Sequence, residues 1–151
     1  MIVRQADERD ASKIFEIVNY SLDDYFSPEV VNFFLTQWPD GQFIAEDVFG
    51  NPVGAICGSL LEGGVAAISL FAVMPGHQDH GVGTRLLESF RRRCLMDGIS
   101  TIQLEVREEN VHAMMFYEKR GFRKTEFLPC FYSNGGNGYR MVCSANGQVI
   151  S

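Results

Sequence analysis

The first stretch of this chain that could do chemistry is Met74-Pro75-Gly76-His77-Gln78-Asp79-His80-Gly81-Val82-Gly83-Thr84, between an apolar run, Val65 to Val73, and an amphipathic run beginning at Gly81. A buried strand that feeds a glycine loop and then a helix leaves unpaired backbone N–H groups at a helix N-terminus, which is an anion site. Gly81 and Gly83 carry no Cβ, so a phosphate could approach the main chain closely. An ordinary strand-to-helix turn has the same outline, and a single Gly-x-Gly does not separate the two. The spacing is neither Gly-x-x-x-x-Gly-Lys-Ser/Thr nor Gly-x-Gly-x-x-Gly, which sets nucleoside triphosphate and dinucleotide sites behind. A second candidate is Glu105, an acidic residue within an alternating segment, which faces either a wet cleft or an exposed sheet face. A third is Tyr117, seven residues beyond a capping Asn110; a core aromatic has the same spacing from Ala113, and a buried hydroxyl needs a partner. His77-x-x-His80 is a poor metal pair, with three histidines in the chain and no cysteine nearby, so no metal is expected. Cys57, Cys94, Cys130 and Cys143 lack a base partner in sequence, which argues against thiol nucleophile chemistry.

The elements that must position these residues follow from periodicity. Ile2 to Ala6 predicts a strand, and Asp7 or Asp10 caps a helix with Ile14, Ile17 and Val18 on one face. Pro28 opens a second, unusually apolar helix, ended by Trp38-Pro39-Asp40-Gly41. Strand periodicity then covers Gln42 to Val48, Val53 to Leu61 and Val65 to Val73, separated by short turns, which predicts an antiparallel meander. Val82, Leu86, Phe90 and Cys94 form the buried stripe of the helix after the glycine loop. In Thr101 to Arg107, Ile102, Leu104 and Val106 face one side and Gln103, Glu105 and Arg107 the other. A helix from Asn110 to Arg120 and strands Phe122 to Leu128 and Tyr139 to Ser144 complete the order β-α-α-β-β-β-α-β-α-β-β. That order is α/β with a mixed sheet, parallel where the glycine-loop helix crosses over.

Composition narrows the function classes. The 151 residues suit a single domain, and a chain of that size buries roughly 68–70% of its unfolded surface. Scattered cysteines, no secretory leader and no long apolar run predict a soluble cytoplasmic protein with reduced thiols and no membrane span. A formal charge of −6 argues against nucleic acid as a partner and favours a cationic substrate such as an amine.

Gln78-x-x-Gly81-x-Gly83 resembles the Gln/Arg-x-x-Gly-x-Gly/Ala signature of the GNAT N-acetyltransferases, and the element order is similar to theirs. Leu104-Glu105-Val106-Arg107-x-x-Asn110, Ala113 and Phe116-Tyr117-x-x-x-Gly121-Phe122 resemble the run shared by the N-terminal protein acetyltransferases, including those acting on ribosomal-protein alanine. Trp38-Pro39, Ile44-Ala45-Glu46-Asp47, Phe131-Tyr132-Ser133-Asn134-Gly135 and Tyr139-x-Met141 resemble their catalytic subunits. The resemblance implies a GNAT fold, a mixed sheet of about seven strands with four helices, and acetyl-CoA as cosubstrate. It implies that Gln78, Asp79, His80, Gly81, Val82, Gly83 and Thr84 hold the pyrophosphate and that Leu70, Phe71, Ala72 and Val73 run beside the cofactor, with Asn110 and Tyr117 also touching it. By the same resemblance Glu105 is the general base, through a water, and Tyr117 the general acid that protonates the departing thiolate. A partly desolvated carboxylate would have the raised pKa that a base prefers.

The implied acceptor is the α-amine of a protein or peptide, and a small amine such as a polyamine or amino sugar is the alternative. A CoA-binding module with little catalysis is a further one, against which the presence of both Glu105 and Tyr117 argues. Asp24, Tyr25 and Phe26, with Tyr132, would form the acceptor lips, although Tyr25 and Phe26 could equally staple the second helix. Two positions depart from the pattern. Asp79 and His80 stand where relatives are usually basic, leaving the phosphates to backbone N–H groups, and Gly136-Asn137 replaces a Glu-Asp pair. A monomer or a homodimer is compatible with all of this.

Overall fold

In the computed structural model, which describes residues 1–21 and 26–146, the chain runs β1 (Ile2–Gln5), a 3-10 turn, α1 (Ala11–Ser21), α2 (Pro28–Gln37), β2 (Gln42–Glu46), β3 (Pro52–Leu61), β4 (Val65–Val73), α3 (Val82–Met96), β5 (Thr101–Arg107), α4 (Val111–Glu118), β6 (Arg123–Leu128) and β7 (Gly138–Ser144). The order matches the expected one, and ends differ where side chains intervene. Strand β2 stops at Glu46 rather than Val48 because the Asp47 carboxylate accepts from the N–H groups of Phe49 and Asn51, both at 2.9 Å, closing a turn. Helix α4 stops at Glu118 rather than Arg120, in a turn that Gly121 closes at φ +94°.

The sheet has seven strands in the order β1-β2-β3-β4-β5-β7-β6. Strands β2, β3 and β4 form the antiparallel meander, and β4 and β5 are parallel, joined by the α3 crossover. Both faces are covered. Helices α1 and α2 pack on one through Ile14, Ile17, Val18, Val31 and Phe34; α3 covers the other through Leu86, Leu87 and Phe90. No described helix is long and apolar enough to cross a membrane.

Strand β4 carries the feature that shapes the site. Leu70 pairs with Cys57 and Ile68 with Gly58, so Ser69 is an extra residue, a β-bulge. A bulge inverts the alternation. Ala66 and Ile68 lie in the core under α3, whereas Leu70 and Ala72, of the same parity, lie under α1 and α2. Strand β4 pairs with β5 only over Val65–Ala67 against Thr101–Gln103. Beyond the bulge β4 stays with β3 while β5 continues beside β7, so the two parallel strands part and the β5-facing edge of β4 has no strand partner there among the described residues.

Candidate active site

Two cavities flank this parting. The larger, about 600 Å³, lies between the end of β4, the glycine loop and α4, and is lined by Phe71, Val73, Gln78, Gly83, Asn110 and Tyr117 among others. The smaller, about 400 Å³, is lined by Phe26, Ala67, Ile68, Ser69, Glu105, Phe131, Tyr132 and Ser133. Strand β4 contributes to both, before and after its bulge.

The floor of the larger cavity is main chain. Helix α3 begins at Val82 with Gly81 as its N-cap at φ +83°, and no side chain among the described residues caps it, so its first N–H groups remain available to an anion. Gly81 is glycine for that left-handed backbone, and Gly83 faces the Phe116 ring, where a Cβ would stand in ordinary contact at 3.4 Å. Gln78 Nε2 donates to the Val73 carbonyl at 3.2 Å and ties the loop to β4. Asp79 adopts φ +64° and lines the mouth, its carboxylate 3.6 Å from His112 Nε2 across it. His80 is exposed outside the cavity, Val82 is buried under the sheet, and Leu70 faces the α1 and α2 core, so the side chains of these expected contacts do not line it.

Asn110 caps α4, accepting from Ala113 N–H at 3.1 Å, and also lines the larger cavity. Tyr117 packs edge-on against Phe116 and Phe122 and at a tilt against Phe71. Burial, with a smaller contribution from nearby Tyr132, pushes its phenol well above the usual range, so it stays protonated and has a proton to donate. The cavity contributions of His112 and Arg120 had no motif to announce them. A signal existed: Ala113, Phe116, Tyr117 and Arg120 stand at i, i+3, i+4 and i+7, one helical face.

Glu105 projects from the face of β5 opposite Ile102, Leu104 and Val106, which are core. It is half-buried, and its Oε2 is out of solvent contact with no hydrogen-bond partner among the described residues. The only cation within ion-pair distance of it among those residues is Arg140, whose Nε lies 3.6 Å away and which is held by Glu126 at 2.8 Å. Tyr132 stacks under the Arg107 guanidinium at 4.0 Å and against Phe131. Gly138 makes room for that ring, since a Cβ there would lie 2.9 Å from it. At the Gly136-Asn137 departure, a Cβ on Gly136 would lie 2.9 Å from the tip of the Arg107 side chain, and the Asn137 amide accepts from Cys130 N–H and donates to Glu108. Phe26 is positioned by Asn19, whose side chain accepts from its N–H at 2.7 Å and donates to its carbonyl at 2.9 Å. Asp24 and Tyr25 lie outside the described residues.

The arrangement separates a smaller cavity, holding a carboxylate oxygen with no hydrogen-bond partner among the described residues, from a larger one holding a helix N-terminus and a protonated phenol. Known proteins share the fold. Residues 6–122 match the acetyltransferase (GNAT) family. The chain is 31% identical over 143 residues to an uncharacterised N-acetyltransferase of Methanocaldococcus jannaschii, covering 94% of this chain and 90% of that protein. It is 28% identical over 139 residues to N-alpha-acetyltransferase 30 of Schizosaccharomyces pombe, covering 88% and 91%. The crystal structure of Ard1 from Thermoplasma volcanium superposes with a TM-score of 0.89 at 31% identity, over 99% of this chain and 98% of that one. The chain belongs to the GNAT family of acetyltransferases.

Proposed function

We propose that this protein transfers the acetyl group of acetyl-CoA to the α-amine of a protein or peptide N-terminus by direct attack. The observation that carries this is the split between β4 and β5, with Glu105 in the cavity on one side and Tyr117 in the cavity on the other. The relatives named N-alpha-acetyltransferase support the acceptor class.

The larger cavity fits a CoA thioester in three respects: its volume, the uncapped N-terminus of α3 for phosphates, and the strandless edge of β4 for an extended amide-bearing arm. Acetyl-CoA supplies an activated acyl group. Backbone N–H groups of Leu70 to Val73 on the β4 edge would donate to the carbonyl oxygen as it gains charge. Glu105 would take the proton that the attacking nitrogen gives up, through a water, and the Tyr117 phenol would donate its proton to the departing sulfur. A modest base is sufficient for this acceptor. An α-amine with pKa near ~8 is roughly one-tenth neutral at pH 7, whereas a lysine amine near ~10.4 is neutral in about one molecule in a few thousand. Phe26, Phe131 and Tyr132 would wall the first side chain of the acceptor, and the Tyr132 hydroxyl would bond its backbone.

A panel of peptides and small amines, assayed for CoA release, tests this reading. Turnover of free-ended peptides that is abolished by blocking the α-amine, even with lysines present, is the expected result. Acetylation of spermidine or an amino sugar with no activity on any unblocked peptide would overturn it in favour of a small-amine acceptor.

A further inference from the structure

The glycine loop that should receive phosphates brings no lysine or arginine of its own, and Asp79 adds a negative charge at the mouth. Among the described residues, the cavity is lined by a single arginine and no lysine: Arg120, in the turn closing α4. Its guanidinium is fixed. Nη1 donates to the Phe116 carbonyl at 2.8 Å, Nη2 donates to Thr84 Oγ1 at 2.6 Å, and the Phe116 ring lies 3.7 Å beneath it. Thr84 belongs to the first turn of α3, so Arg120 is held beside the helix end whose N–H groups are uncapped.

No carboxylate lies within ion-pair distance of Arg120 among the described residues. A second cation stands behind it. Arg91 donates from Nη2 to the Arg120 carbonyl, and its own Nε is buried without a hydrogen-bond partner among the described residues. Burial and then Arg91 push the Arg120 guanidinium below its ordinary value, with only Glu88 acting the other way. A preorganised arginine without an anionic partner, its planar donor fork at the wall of a cavity, matches a phosphate ester. The Thr84 and Phe116 contacts alone would account for a structural clamp between α3 and α4, but a clamp requires no positive charge.

We propose that Arg120 is the cation that binds a phosphate of the acyl carrier in this cavity, in place of basic side chains on the glycine loop. This rests on reading the cavity as an acetyl-CoA site. The phosphate is that of the diphosphate or the 3′-phosphate, which share the chemistry.

Calorimetric titration of the full chain with CoA, 3′-dephospho-CoA and S-acetylpantetheine, for the wild type, Arg120→Met and Arg120→Lys, tests it. Arg120→Met keeps the apolar stem on Phe116, and it should weaken CoA by roughly 10- to 100-fold, the range of a lost charge-assisted hydrogen bond. Arg120→Lys should recover part of that, and S-acetylpantetheine, which has no phosphate, should bind all three alike. A loss that persists with 3′-dephospho-CoA assigns the diphosphate, and one that disappears assigns the 3′-phosphate. Equal CoA affinity in the wild type and Arg120→Met, or an equal loss for S-acetylpantetheine, overturns the proposal. A wild type that binds none of the three overturns the acetyl-CoA reading itself. Should the variants fold poorly, phenylglyoxal labelling of the wild type gives the answer: CoA should protect Arg120 and S-acetylpantetheine should not, and modification unaffected by CoA sinks the assignment.

Discussion

The two cavities beside the β4–β5 split are built from different materials. The larger is floored by main chain: an uncapped helix end, a strand edge with no partner strand, and glycines whose missing Cβ atoms keep the approach open. The smaller is walled by side chains from distant segments: Phe26 before α2, Ser69 at the bulge, Glu105 on β5, and Phe131 and Tyr132 ahead of β7. A surface of backbone groups recognises what its ligands have in common, whereas a wall of side chains can be exchanged residue by residue without disturbing the sheet. The difference teaches that, on the proposed function, cofactor recognition resides in the conformation of one contiguous segment and acceptor choice in the assembly of several.

Variants on opposite sides of the split should separate cleanly. The largest effect is expected from Glu105→Gln, which keeps the shape of the smaller cavity and removes its base. It should lower kcat by about 10²–10⁴-fold and flatten the acidic limb of the pH–rate profile, with CoA affinity unchanged. A near-native rate at neutral pH would refute the role of Glu105. Next is Gly83→Val, which places branched carbons toward Phe116 from a Cβ position already 3.4 Å from its ring. Calorimetry should show CoA binding weaker by on the order of tenfold, from the cost of overpacking, while His80→Ala, outside the cavity, leaves it unaltered. Similar small effects from both would break the claim that the loop works through its main chain.

A smaller change is expected from Tyr132→Ala. It should raise KM for a peptide about fivefold to tenfold, in keeping with one lost aromatic wall, and leave KM for acetyl-CoA as it was. A parallel rise in both constants would mean that the cavities are not separable. The least effect on either cavity should come from Asp10, which Arg4 engages through both carboxylate oxygens, at 2.8 and 2.9 Å. Hydrogen bonding from Arg4 holds the Asp10 carboxyl below the usual carboxylate range. A depressed folded-state pKa contributes stability that is present above the unfolded value of about 3.9 and lost as pH falls through the folded one. Denaturation midpoints followed down from about pH 6 should therefore decline below about pH 4 less steeply in Asp10→Asn than in the wild type.

Much of this was legible in local sequence. The strand Thr101 to Arg107 has the predicted bounds, and its alternation puts Glu105 on the face away from the core. Gly81 marked the loop because a left-handed backbone leaves its signature in residue type. Asn110 announced α4 by capping chemistry that involves only its own neighbours. The bulge at Ser69 was hidden, because an unbroken apolar run from Val65 to Val73 reads the same whether or not its alternation inverts partway. The sequence marked Gly136-Asn137 as a departure, and only the structure shows Asn137 tying its loop to Cys130 and Glu108.

Periodicity, capping and turn chemistry are properties of residues close in the chain, so the sequence by itself determined the order of elements, the glycine loop before α3 and the face of β5 that carries Glu105. Which strands part, and which side chains meet where they do, depends on contacts between residues far apart. Arg120 reaches Thr84 across 36 positions, and Arg140 stands opposite Glu105 only because β7 returns beside β5. Such pairings have no local signature, since each partner's residue type is equally compatible with solvent, and only the packed tertiary structure decides them.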